Sequence, residues 1–155
     1  MKKYFMLFLC FTLILWNPTS ASAASSTSNI IVETFEDGSY IETVIEEIET
    51  SSTYSTTSTK SGKKTSTYKN SSGDALWSVS VTGTFTYNGS SATCTKSTVS
   101  TASYNNNWKI TASSSSKSGA SAKATATAAK YSSGIYITST TQSVTLTCSK
   151  SGTLS

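Results

Sequence analysis

The segment from Ala75 to Tyr87 constrains the fold more than any other. Serine and threonine occupy most of its even positions. Its large apolar residues share the odd positions: Trp77, Val79, Val81, Phe85 and Tyr87. Because side chains alternate between the faces of a strand, this pattern predicts a long strand with one apolar and one hydroxyl face. The dipeptide Asn88-Gly89 favours a two-residue type I′ turn. We therefore expect a hairpin that returns along 90–96 and sets Gly83 opposite Cys94.

Alternating alanines mark a second strand, Ala120–Ala129. Every even position from 120 to 128 is alanine, and serine, lysine and threonine lie between them. A face of small side chains leaves room for large ones in a facing sheet. We expect it to lie opposite Trp77, Trp108 or Phe85.

With the remaining segments, the whole chain is predicted to contain seven to nine short strands. Strands are expected from Lys63 to Asn70, from Trp108 and from Ile135 to Cys148, whereas 98–107 is polar and predicted to be a loop. Two interpretations of 39–50 stay open: a strand returning from an Asp37-Gly38 turn, or a helix with a capping box. Close strand spacing predicts an all-β fold, a small antiparallel β-sandwich.

The first 23 residues have the features of a secretory signal peptide. A basic start and an apolar run precede Ala21-Ser-Ala23, a small-residue cleavage site. The predicted organisation is a signal at 1–23, an acidic segment at 24–50, a polar linker or edge strand at 51–62 and the β-sandwich at 63–155. We expect an extracellular product without a stable membrane anchor.

Two cysteines remain once the signal is removed. An even pair in an exported chain indicates a disulfide, so Cys94 and Cys148 are predicted to staple the sandwich. Both follow the inward parity of their strands, which directs the two thiols into one core.

Charge is divided along the chain. Residues 24–50 hold seven carboxylates and no lysine, whereas 51–155 hold ten lysines and the single acid Asp74. The acidic segment either pairs with the lysine-bearing strands or forms a detachable unit. The chain has no arginine and a formal net charge of only +4, so nucleic-acid binding is not expected.

The sequence offers little for catalysis. With no histidine, the usual catalytic triad and most zinc sites are missing. Apart from Asp74, every acid lies within residues 33–49, outside the predicted sandwich domain. We expect no enzyme activity, no metal site and no cofactor.

A binding function is the leading prediction, and one loop is its candidate site: Tyr104, Asn105, Asn106, Asn107 and Trp108. Aromatic rings beside amides suit recognition of a cell-wall or other glycan, through stacking and hydrogen bonds. Alternatively, Trp108 begins a core strand and the asparagines form a polar loop. The other function classes are a secreted toxin-like effector and a hydrolase with an unrecognised site.

Several stretches resemble small Ser/Thr-rich secreted proteins of Gram-positive bacteria, a family whose members we know only as uncharacterised. They are Asp37-Gly-Ser-Tyr-Ile-Glu, Tyr68-Lys-Asn-Ser-Ser-Gly, Leu76-Trp-Ser-Val-Ser-Val-Thr-Gly-Thr-Phe-Thr-Tyr-Asn-Gly and Val144-Thr-Leu-Thr-Cys. The resemblance implies secretion and no activity. The order Cys94, Trp108, Cys148 is also similar to immunoglobulin-like sandwiches, one candidate for the architecture.

Overall fold

A computed structural model describes residues 27–48 and 57–155, with side chains described from residue 33 onward. The predicted signal peptide at 1–23 and the first half of the predicted linker, 51–56, lie outside these residues. The described residues form eight strands and no helix, which confirms the all-β prediction. The strands are β1 (Thr27–Thr34), β2 (Tyr40–Ile48), β3 (Ser58–Lys69), β4 (Ala75–Tyr87), β5 (Ala92–Ser103), β6 (Trp108–Ser118), β7 (Ser121–Ser132) and β8 (Ile135–Thr147).

The strands form two antiparallel sheets in chain order. Sheet A is β1-β2-β3-β4-β5 and sheet B is β6-β7-β8, and the core lies between them as in a β-sandwich. Immunoglobulin sandwiches use Greek-key connections. Over the described residues every strand pairs with its chain neighbour within a sheet, so the immunoglobulin-like candidate is wrong in its topology.

The two sheets meet along β5 and β6, where side chains replace a backbone ladder. Lys117 Nζ donates to the Thr95 carbonyl oxygen at 2.6 Å, and Ser115 Oγ donates to the Ser97 carbonyl oxygen at 3.3 Å. These bonds cover carbonyl groups at the edge of β5 that would otherwise be unpaired. Sheet B therefore covers this part of the edge of sheet A.

The core is built by large residues of β4 against small residues of β7, as the alternation predicts. The inner face of β7 consists of alanines that are at most 1% exposed: Ala122, Ala124, Ala126 and Ala128. They share one apolar cluster with Trp77, Phe85 and Trp108. Small residues on β7 thus give the bulky residues of sheet A room to pack.

Two paired glycines let the sheets approach closely. Gly62 of β3 lies opposite Gly83 of β4. A Cβ atom on Gly62 would meet the side chain of Leu154, and one on Gly83 would lie 2.6 Å from the Phe85 ring. Both positions therefore need the absence of a side chain rather than an unusual backbone angle.

The hairpin between β4 and β5 differs from the predicted type I′ turn. Tyr87 pairs with Ala92 and Phe85 with Cys94, so the loop has four residues. Asn88 Oδ1 accepts hydrogen bonds from the backbone N–H of Ser90 at 3.0 Å and of Ser91 at 2.9 Å. An asparagine side chain that caps its own loop competes with the two-residue turn. The shift is two residues, so Cys94 keeps its predicted inward face.

Two polar segments are strands over part of their length. β5 extends through Ser103, which corrects the loop expected over 98–107 as far as residue 103. For 51–62, predicted as a polar linker or an edge strand, the described residues 58–62 belong to β3, which lies inside sheet A between β2 and β4. The polar residues of these segments are compatible with a loop as well as a strand, because the sequence does not show which hydroxyl groups pair across strands. Ser61 Oγ lies 3.0 Å from Thr84 Oγ1, one such cross-strand pair.

The acidic segment is part of sheet A. Tyr40–Ile48 is a strand rather than a helix, and all nine of its residues pair with β3. Lys69 Nζ lies 2.6 Å from Glu42 Oε2, and Lys60 Nζ lies 3.1 Å from Glu47 Oε2. Of the two predicted alternatives, pairing with the lysine-bearing strands is the one observed.

Candidate functional site

One end of the sandwich gathers four connections between strands. They are 35–39, 70–74, 104–107 and 133–134. Beneath them lies an aromatic cluster in which Tyr68 contacts Phe35 at 5.7 Å and Trp108 at 5.6 Å between ring centroids. Trp77 and Trp108 lie 6.4 Å apart. Edge-on and tilted contacts of this kind give the connections a rigid support.

The predicted glycan loop is at this end, but its residues separate. Trp108 is 6% exposed and belongs to the core, so neither face of its indole is open to a sugar. Tyr104 is 58% exposed, and its hydroxyl lies 3.1 Å from Ser78 Oγ, on the outer face of sheet A. The structure therefore does not bring the two predicted rings together.

The three asparagines shape the loop. Asn105 Oδ1 accepts a hydrogen bond from the Asn107 N–H at 2.9 Å, and the Asn105 carbonyl accepts one from the Trp108 N–H at 2.9 Å. Asn106 and Asn107 are exposed. The Asn107 carbonyl accepts a hydrogen bond from the Tyr131 N–H at 2.7 Å, which ties the loop to β7.

A different set of aromatic residues lies beside that loop, and we call it the tyrosine patch: Lys109, Tyr131 and Tyr136. The two tyrosine rings make an edge-to-face contact at 6.1 Å, and Lys109 Nζ lies 5.0 Å from the Tyr131 ring centroid. Tyr136 is 55% exposed. The patch therefore holds an open aromatic ring in a fixed orientation by ring–ring and cation–π contacts.

The β7–β8 turn places the two tyrosines on one face. Ser133 has φ 50° and Gly134 has φ 82°, the two positive angles of a type I′ turn. Ser132 then pairs with Ile135, and Tyr131 with Tyr136. The sequence of 131–136 indicates that the two tyrosines are neighbours, because they flank a two-residue turn symmetrically.

Rows of hydroxyl groups continue from the tyrosine patch along the outer face of sheet B. Thr127 Oγ1 lies 2.8 Å from Thr141 Oγ1, and Thr125 Oγ1 lies 2.8 Å from Ser143 Oγ. Successive rows on one face are about 7 Å apart. We call these two pairs the hydroxyl rows. With the patch they form one elongated surface of aromatic and hydroxyl groups.

Sheet B carries positive charge only. Residues 108–147 contain four lysines and no carboxylate: Lys109, Lys117, Lys123 and Lys130. Lys109 and Lys123 are exposed at the two ends of the outer face. The surface therefore has neutral hydroxyls in its middle and a cation near each end.

The two predicted disulfide partners are free thiols in this structure, so the stapling bond is not formed. Both side chains are nevertheless buried in the same apolar cluster. The Cys94 N–H donates to the Gly119 carbonyl at 2.7 Å, and the Cys148 N–H donates to the Ala120 carbonyl at 3.0 Å. The cysteines therefore flank one short connection, between β6 and β7.

Burial raises the pKa of both thiols. For Cys148, desolvation is the main cause, and the negative charge of a Cys94 thiolate also raises the pKa.

Other groups also have shifted pKa values. Desolvation lowers the pKa of the Lys64 ammonium, whereas the hydrogen bond from Ser39 lowers the pKa of the Asp37 carboxyl. Over the described residues no three His, Cys, Asp or Glu side chains are grouped as metal ligands.

Comparisons with protein families, with curated proteins and with solved structures find no match to this chain. None of residues 27–48 and 57–155 belongs to a helix long and apolar enough to span a bilayer.

Proposed function

We propose that the protein is a secreted, non-catalytic glycan-binding module whose site is the tyrosine patch. One observation carries the proposal: Tyr136 is 55% exposed although its ring makes an edge-to-face contact with the Tyr131 ring. Large aromatic side chains are normally buried, so an exposed ring held in place indicates a ligand surface. A cell-wall polysaccharide is the ligand class that we favour.

The chemistry of the surface supports a sugar ligand. An aromatic face accepts the C–H groups of a sugar ring, and the phenol and the amides of Asn106 and Asn107 can bond its hydroxyl groups. The hydroxyl rows extend the surface in the strand direction, which suits a linear chain of sugars better than a single one. Lys109 and Lys123 favour a ligand that carries negative charge.

The experiment compares two exposed tyrosines on opposite faces. Tyr136→Ala should weaken binding to isolated cell wall, or to soluble glycans in calorimetry, by about tenfold. Tyr104→Ala is the matched control, since Tyr104 is 58% exposed but lies over sheet A. Equal binding by wild type and Tyr136→Ala would show that the patch is not the site.

Export is the second part of the proposal. Cleavage after Ala21-Ser-Ala23 leaves a mature chain beginning at Ala24. The N-terminal peptide of the protein in culture supernatant should begin at Ala24 by mass spectrometry. Intact chain confined to the cytosol would contradict export.

We also propose that Cys94 and Cys148 become linked after export. Their shared cluster and their positions around the 119–120 connection support the pairing. A bridge between them closes a loop of about 55 residues, and the chain-entropy model gives a stabilisation of about 4 kcal/mol for such a loop. Titration of thiols in unfolded, secreted protein should find none, whereas two per chain would contradict the bridge.

A further inference from the structure

Sheet B has a long open edge along β8. Thr147 exchanges two hydrogen bonds with Ser155, at 2.9 and 3.0 Å, so its backbone groups point away from β7. In an antiparallel strand, every second residue directs its backbone N–H and C=O groups to the same edge of the strand. The register of β7 with β8 is regular from Thr138 to Thr147, so this alternation continues back from Thr147 along β8. The outward-pointing residues without a strand partner among the described residues are Ser139, Thr141, Ser143 and Thr145.

Between Thr138 and Thr145 this edge lacks the features that normally prevent pairing, and the register shift in β8 lies outside that stretch, at Ile137. The 13 residues of β8 contain no charged residue and no proline. Native sheet edges are usually protected by lysine, proline, a bulge or a covering segment. Here the only cover in the described part of the chain is the tail at Thr147, which itself pairs with β8 as a strand would. Ile135 and Ile137, at the other end of β8, are 69% and 53% exposed.

We propose that two copies of the protein pair through β8 across a two-fold axis near Thr141. An uncharged strand is complementary to itself, because neither copy brings a charge that the other leaves unpaired. Antiparallel pairing about Thr141 sets Ser139 of one copy opposite Ser143 of the other and stops before the tail at Thr147. Both sheets B then form one six-stranded sheet, a closed dimer of the commonest symmetry.

Strand β1 of another copy fits this edge less well than a second β8. The opposite outer strand, β1, belongs to the acidic hairpin that contains Glu33, Glu42, Glu46 and Glu47. Pairing β8 with that strand of another copy is head-to-tail and leaves a free edge at each end, which gives open polymers. Two β8 strands instead use up both edges.

Charged residues introduced at position 141, on the proposed two-fold axis, test the pairing. Wild type should have the mass of two chains in sedimentation velocity, without any glycan present. Thr141→Lys and Thr141→Glu should each be monomeric, because like charges meet at the axis, and an equimolar mixture of the two should regain the dimer mass. The matched controls are Ser114→Lys and Ser114→Glu, on β6 of the same exposed face, and both should stay dimeric.

Three outcomes would overturn the dimer. They are a monomeric wild type, a Thr141→Lys variant that remains dimeric, and wild-type masses that grow beyond two chains. Circular dichroism establishes that each variant is folded, and Ser139→Lys provides a second edge variant if Thr141→Lys is not. The measurement needs no ligand, so it is independent of the proposed glycan function. A confirmed dimer would place two tyrosine patches on one continuous sheet and allow bivalent attachment.

Discussion

Single atoms determine how closely the sheets pack at Gly83. A Cβ atom there would lie 2.6 Å from two carbons of the Phe85 ring and 3.0 Å from the Ala122 Cβ. The Phe85 side chain is fully buried, so the ring cannot turn out into solvent. The glycine is thus required by packing, and a sequence alone does not distinguish this from a bulge or a turn.

Gly83→Ala should lower the free energy of unfolding by about 1–3 kcal/mol because it overpacks the core. Urea denaturation measures the change. Phe85→Leu should relieve the clash, so the double variant should lose less stability than the sum of the two single variants. Strictly additive losses would show that Gly83 and Phe85 do not compete for the same space.

The buried thiols should make the reduced protein sensitive to alkaline pH. Burial raises the folded-state pKa of Cys94 and Cys148, so the unfolded chain releases these protons first. The unfolded state therefore binds fewer protons above about pH 8.5, the ordinary thiol pKa, and stability falls as pH rises. Below that pH the contribution is fully retained.

Thermal melting of the reduced protein as a function of pH tests this. The midpoint of wild type should fall more steeply above about pH 8.5 than that of a Cys94→Ala, Cys148→Ala variant. Other groups titrate equally in both proteins, so the difference between the two curves isolates the thiols. Parallel curves would contradict the burial effect.

At the scale of elements, period-two alternation predicts the strands that have one large or one uniformly small face. β4 and β7 were both predicted in this way, and their packing against each other follows from complementary side-chain sizes. β5 beyond Thr98 was missed, because its polar residues show no apolar face. The register of the β4–β5 hairpin was also missed, since Asn88 caps a four-residue loop.

The sequence argument and the structure direct attention to neighbouring parts of the molecule. The loop 104–107 lies at the end that carries the tyrosine patch. The sequence left open whether Trp108 is a binding ring or the start of a core strand, and the structure shows the core strand. An aromatic residue at the start of a strand suits either a core or a surface, and only the packing of Tyr68 and Trp77 against it decides. Tyr131 and Tyr136 become neighbours through the turn between them.

The alanine face of β7 should reject large side chains. Ala124 is 0% exposed within the core cluster, so Ala124→Leu should cost about 1–3 kcal/mol of stability. The neighbouring Lys123 is exposed on the opposite face, and Lys123→Leu should change stability by about 0.5 kcal/mol or less. Comparable losses in chemical denaturation for both variants would mean that β7 does not present its alanines to sheet A.

At the scale of the whole molecule, sheet B packs against only part of sheet A. The backbone of sheet B lies close to β3, β4 and β5, whereas that of the described residues of β1 and β2 does not, and β2 reaches the core cluster through the Ile45 side chain. The β1–β2 hairpin is therefore held by its ladder with β3, by the apolar contacts of Ile45 at the margin of the core, and by ion pairs. The ion pairs join Glu42 to Lys69 and Glu47 to Lys60. Partly exposed ion pairs of this kind contribute about 0–1 kcal/mol each.

We therefore expect stability to decrease across sheet A from β4 towards β1. Local opening needs less free energy where few buried apolar contacts hold a strand. Native-state hydrogen exchange should find the slowest amides in β4 and β7, faster exchange in β2 and the fastest in β1. Higher salt should speed exchange in β2 more than in β4, because it screens the ion pairs with β3. If β2 amides were as protected as those of β4 at every salt concentration, the acidic hairpin would open only with the whole domain.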